Sequence, residues 1–82
     1  MSKIDEYVKK LEESIAEVEP FSPQGGDRIR EIIDLVKNLS KGDNKKKALE
    51  IVNETLERMI EYESYVPVSI TNFKFLKAEL SK

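Results

Sequence analysis

Pro67 lies in the middle of ESYVPVSITNF, residues 63–73, and what surrounds it decides the fold. The stretch is rich in β-branched and aromatic residues, which suit a strand. On either side the chain is rich in Lys and Glu, with apolar residues at steps of three and four, the helical period. A single strand in such a chain would have no partner for its backbone groups. Proline also pushes the residue before it, Val66, out of helical geometry. The stretch therefore reads as a joint between two helices. Ser69 is the expected cap of the second, with Val68 and Phe73 at the two positions of a hydrophobic staple.

With that joint placed, the pattern predicts helices over residues 3–19, 28–41, 45–63 and 70–81. The first begins after Ser2, ends before Pro20, and carries Ile4, Tyr7, Val8, Leu11, Ile15 and Val18 on one face. FSPQGGD, residues 21–27, reads as a loop, and Asp27 as the cap of the second helix. That helix turns Ile29, Ile32, Ile33, Val36 and Leu39 inward, and Gly42 suits the left-handed residue that closes it. Asp43 or Asn44 opens the third, whose stripe is Ala48, Leu49, Val52, Leu56, Met59 and Ile60. The fourth carries Ile70, Phe73, Leu76 and Leu80. The expected fold is all-α: one domain over residues 1–82, a four-helix bundle built from two αα-hairpins.

The two hairpins resemble each other. LEESI at 11–15 answers LERMI at 56–60, and Phe21-Ser22-Pro23 answers Tyr65-Val66-Pro67. Ile29, Ile32, Leu35, Leu39, Ser40 and Lys41 then answer Ile70, Phe73, Leu76, Leu80, Ser81 and Lys82. A spacing of about 41–45 residues falls in the HEAT-type range. A duplicated HEAT-like hairpin and two unrelated amphipathic hairpins both stay open. Val66-Pro67 followed by Ile70-Thr71, with Pro23 and Ile29-Arg30 as a looser copy, resembles an uncharacterised archaeal family of short all-helical proteins of unknown function. Members carry two helix–Val/Met-Pro–helix units. The resemblance spans nearly the whole chain and implies the helical fold but no activity. Two departures stand out: Gln24-Gly25-Gly26 lengthens the first joint, and the last helix has no tryptophan.

Composition narrows function by exclusion. None of the 82 residues is cysteine or histidine, so disulfides, thiolate nucleophiles and Cys- or His-ligated metals are out, along with the commonest general base. With 16 acids against 14 bases the net charge is −2, too balanced to draw nucleic acid by bulk field. No apolar run reaches the ~18–20 residues of a membrane span. The N-terminus MSKIDEYVKK lacks a signal-peptide core, so the expected location is cytoplasmic. Glu50, Glu54, Glu57 and Glu61 share the outer face of the third helix, with Arg58 and lysines nearby, and read as a solvated stripe. Gly25-Gly26 follows no strand, as a phosphate loop must. No catalytic set, cofactor or metal site is expected, and the chain reads as no enzyme.

What remains are apolar side chains off the core stripes. Phe75 points away from the direction set by Ile70, with Thr71 and Ala78 beside it. Ile51 lies outside the third stripe with Thr55, Arg58 and Tyr62. Aromatic residues and Arg are enriched in interface cores. Either these patches meet a protein partner or a second copy, or the FSPQGG segment folds over one of them. The expected function is a small non-enzymatic protein-interaction module, with a homodimer as one form of it. Two alternatives stay open. One is a nucleic-acid- or ribosome-associated factor, resting on Lys45, Lys46 and Lys47, the basic last helix, and Arg28 and Arg30. The other is a viral or plasmid-borne inhibitor that acts by protein binding through the acidic stripe.

Overall fold

The computed structural model describes residues 2–82. Four helices follow in order: α1 (Lys3–Val18), α2 (Pro23–Val36), α3 (Asn44–Ile60) and α4 (Pro67–Leu80). No strand occurs among the described residues. Each helix packs against its neighbour in sequence, and α4 returns to α1, while the diagonal pairs make no close backbone approach. The result is a closed four-helix bundle. Residues 61–65 form turns and Pro67 opens α4, so the stretch around Pro67 is an elbow.

The expected stripes supply the core. Tyr7, Leu11 and Val18 meet Ile29, Ile32, Ile33 and Val36 from α2, Ala48, Val52, Leu56 and Met59 from α3, and Ile70, Phe73, Leu76 and Leu80 from α4. Ile4, Val8, Ile15, Leu35, Leu39 and Leu49 flank it, half-buried. Ile60 departs from its expected place and is exposed.

Helix α2 starts at Pro23, not Arg28. Ser22 is its cap, with Oγ accepting from the Gly25 N–H at 3.0 Å. Proline suits the first helical position because its missing N–H is one that the helix leaves unpaired anyway. The glycines that suggested a loop serve close approach instead. A Cβ on Gly25 would lie 2.8 Å from Val18 Cγ1, and one on Gly26 2.8 Å from Glu19 Oε2. Asp27 is therefore inside the helix, paired with Arg30 at 3.3 Å. The helix ends at Val36; a run of turns follows, in which Gly42 takes the left-handed φ of 51°. At the start of α3, Asp43 occupies the cap position without a capping bond, and its carboxylate pairs with Lys47 at 3.4 Å.

Helix α4 begins at Pro67, so Ser69 is its third residue and not its cap. Val66 holds the cap position and has no side-chain acceptor to offer. Glu17 of α1 supplies it: Oε1 accepts from the Ser69 N–H at 2.7 Å and Oε2 from the Val68 N–H at 3.3 Å. Val68 is exposed, so the expected staple to the fully buried Phe73 does not form. Below this bond α1 and α4 meet through a buried polar seam. Asn72 Nδ2 donates to the Lys10 carbonyl at 3.0 Å and to Ser14 Oγ at 3.3 Å, and Ser69 Oγ donates to the Ser14 carbonyl at 3.4 Å. Tyr7 Oη donates to Glu79 Oε1 at 2.9 Å near the other end. Buried polar groups cost little when paired in this way.

Both second helices open on proline and run for 14 residues. Aligned from those prolines, Gly26, Ile29, Ile32 and Val36 answer Ile70, Phe73, Leu76 and Leu80, all buried. This register replaces the expected pairing of Ile29 with Ile70.

Candidate functional site

The two proline elbows lie at the same end of the bundle. An aromatic residue precedes each cap position, Phe21 before Ser22 and Tyr65 before Val66, and their rings meet with centroids 6.0 Å apart at 58°. The large exposed apolar side chains gather in the segments around these elbows: Phe21 at 65%, Tyr65 at 63%, Tyr62 at 59%, with Ile60 and Val68. A clustered apolar exposure of this kind marks a contact surface, whereas scattered single residues do not.

Between the first turns of α2 and the last turns of α3 runs a groove of about 510 Å³. That is within the ~300–1,000 Å³ of ordinary ligand sites. Its lining includes the buried side chains of Val18, Met59 and Val66, with Phe21, Gly25 and Arg28 from the first elbow and α2, and Arg58, Tyr62 and Tyr65 from α3 and the second elbow. Gly25 keeps the α2 wall free of a side chain where that helix leans on α1.

The two arginines differ. Arg28 spans from α2 to α3, bonding Glu54 Oε2 at 3.0 Å and Glu31 Oε2 at 3.4 Å. Arg58 has no carboxylate within 4.0 Å among the described residues. Beside the groove, Arg30 joins Glu19 and braces the first elbow, and its guanidinium holds the Glu19 carboxyl below the usual range.

The expected interface residues divide. Tyr62 and Arg58 line the groove. Phe75 does not form a free patch: it is half-buried, edge-on to Tyr7 with centroids 6.1 Å apart and with Lys10 Nζ 4.8 Å from its ring. The physical reason is the ring of helices. Each helix touches two neighbours, so directions well apart on α4 are both covered, one by α3 and one by α1. Thr71 and Ala78 are exposed on α4, apart from the groove. Ile51 packs half-buried beside Leu35 and lines a shallow groove with Glu31, Asp34, Lys47 and Glu50. The FSPQGG segment forms a wall of the main groove and leaves Tyr62 uncovered.

Lys45, Lys46 and Lys47 open α3, while the aromatic groove lies at its far end. At ~1.5 Å per residue, the 17 residues of α3 separate them by roughly 20–25 Å. Lys45 Nζ donates to the Lys82 carbonyl at 2.6 Å, and Lys47 pairs with Asp43. A single-strand nucleic-acid site needs cations and stacking rings interleaved along one path; here the three lysines stand at the opposite end from the rings, and of the two arginines beside the rings Arg28 is already matched by Glu31 and Glu54. Of the acidic stripe, Glu54 is taken by Arg28 and the other three are exposed. Among the described residues no group of three or more potential metal ligands converges.

Tyr7 and Glu79 are perturbed, but in the α1–α4 seam. Burial first, then the Glu79 carboxylate, pushes the Tyr7 hydroxyl up to about 12. Lys82 first, then Tyr7, holds the Glu79 carboxyl below its ordinary range. The pair secures two helices and lines neither the main groove nor the shallow one.

Phe21 and Tyr65 are the residues that sequence reasoning left out of the site. Their signal was the aromatic preceding each proline joint, visible in the repeat. Comparison with family models, with curated proteins and with solved structures gives no match.

Proposed function

We propose that this chain is a non-enzymatic, cytoplasmic protein-interaction module that holds its partner at the elbow end of the bundle. The observation that carries the reading is the meeting of Phe21, Tyr62 and Tyr65, all more than half exposed, around one groove that also presents Arg58. Tyr and Arg are typical anchors of binding energy, most of all where a concave apolar floor excludes water. A catalytic role has little to work with, since the perturbed side chains are tied in structural pairs, Tyr7 with Glu79 in the helix seam and Glu19 with Arg30 at the first elbow. The separation of the lysines from the aromatic rings favours a protein partner over nucleic acid. The kinship proposed with the archaeal helical family adds no activity to this reading.

The test is affinity capture of the tagged chain from its native cells, beside a Tyr62→Glu/Tyr65→Glu double variant. Partners held by the wild type and released by the variant support the module. A partner set unchanged by the double substitution, with the fold intact by circular dichroism, counts against it. Phe75→Glu is unsuited as a probe, because that ring packs on Tyr7 and its loss would loosen the fold itself.

A further inference from the structure

We infer that the groove takes a peptide segment in which a bulky apolar side chain is followed within one turn by a single Asp or Glu carboxylate. The inference rests on the protein-binding reading above and specifies the partner's chemistry. Three features of the groove carry it. The floor of Val18, Met59 and Val66 is apolar, and the volume of about 510 Å³ is enough for more than one large side chain. Tyr62 and Tyr65 stand at the edge, exposed and ready to cover such an anchor. Above all, Arg58 lines this apolar space with no carboxylate partner among the described residues, whereas Arg28 is already matched by Glu31 and Glu54. Arg58 is exposed at the groove, and its planar guanidinium is matched by a carboxylate that reaches it in two-point geometry.

The surroundings limit the charge to one. Glu57 near the end of α3 and Glu61 and Glu63 in the turns after it are exposed and stand outside the groove lining. They would repel a run of acids while leaving room for a single carboxylate at Arg58. A basic peptide meets the opposite difficulty. The acid lining the groove, Glu54, is engaged by Arg28, and a second cation would face Arg58. The first turn of α2, with Gln24 and Gly25 on the groove wall, also favours negative charge there.

The experiment is selection of random 12-residue peptides displayed on phage against the full immobilised chain. Individual binders are then measured by fluorescence anisotropy against wild type, Arg58→Glu, Tyr62→Ala and Lys46→Glu. The expected outcome is a shared pattern of one aromatic or large aliphatic residue with one acid two to four positions later. Affinity falls about tenfold or more in Arg58→Glu, the loss of a charge-assisted hydrogen bond, falls in Tyr62→Ala, and is unchanged in Lys46→Glu at the far end. Replacing the peptide's acid by Lys restores binding to Arg58→Glu. Peptides that bind in the groove but ignore Arg58→Glu, or that carry bases in place of the acid, overturn the carboxylate and leave the module reading standing. No enriched peptide, or amide shifts that map binding elsewhere, removes both. A concentration-dependent dimer with the groove closed between two copies also overturns the inference. Arg58 and Tyr62 are exposed, and an unchanged thermal midpoint shows that their variants fold.

Discussion

Glu17 holds the start of a helix to which it does not belong, and its removal can be worked through in numbers. Helix α4 has a valine at its cap position and a proline first, so its next two N–H groups depend on the Glu17 carboxylate at 2.7 and 3.3 Å. A hydrogen bond to a charged group contributes about 1.5–3 kcal/mol when well buried. The Ser69 bond is only partly buried and the Val68 bond is exposed and long, so the pair is worth about 1–1.5 kcal/mol. Loss of an ordinary helix cap costs a similar ~1 kcal/mol. For a domain of this size 1 kcal/mol moves the thermal midpoint by about 4–8 °C. Glu17→Ala is therefore expected to melt roughly 6–10 °C lower by circular dichroism. Glu17→Gln, which keeps one carbonyl acceptor, loses about half as much. Glu12→Ala, on the same helix and exposed, controls for helix propensity and net charge. Amide exchange gives the local reading, since the Ser69 N–H loses protection in Glu17→Ala and keeps it in Glu12→Ala. A midpoint within about 1 °C of wild type, with Ser69 still protected, refutes the idea that α1 caps α4.

Three further outcomes follow from the packing. Gly25→Ala sets a Cβ 2.8 Å from the stiff side chain of Val18. Overpacking of about 1–3 kcal/mol outweighs the ~1 kcal/mol gain in helix propensity, so the midpoint drops; an equal or higher midpoint shows that the elbow yields. Phe73 is fully buried, so Phe73→Ala costs about 3–5 kcal/mol, against a smaller loss for the exposed Pro67→Ala; chemical denaturation ranks them, and a reversed order refutes the placement of Phe73. The Tyr7 hydroxyl is raised from 10.0 to about 12, so between those values the unfolded chain gives up a proton that the folded chain retains. Stability therefore falls as pH rises through that window, and Tyr7→Phe has a flatter profile in urea titrations across it; parallel profiles would refute the assignment.

The helical period made the number of helices and most of their inward faces legible, because one core in a small chain must collect nearly every large apolar residue. Helix starts were less legible. Proline at the first helical position reads, in sequence, as part of the preceding break, and a cap supplied by Glu17 from another helix leaves no local trace near Pro67. Gly25 and Gly26 read as loop for the same reason that they are needed in the helix, namely that they carry no side chain. The site was half legible. Tyr62 and Arg58 stood out as lying off the α3 stripe, but Phe75 carried the same signal and lies between helices. Angular distance from one stripe cannot tell solvent from a second neighbour. Phe21 and Tyr65 are far apart in sequence, and only the closing of the bundle brings their rings together.

The hydrogen bonds that tie Asn72, Ser69 and Glu79 to α1 fix the height at which the last helix sits. Sliding it by one turn would strand every donor in the seam, so slipped assemblies are disfavoured. The seam is blind, however, to which molecule provides the helix: two copies that exchanged α4 would satisfy every pair equally. The rigid kink at Pro67 counters this. Exchange by straightening α3 and α4 into one long rod would place Pro67 inside a helix, which a ring lacking an N–H resists, and that route to a swapped pair is disfavoured.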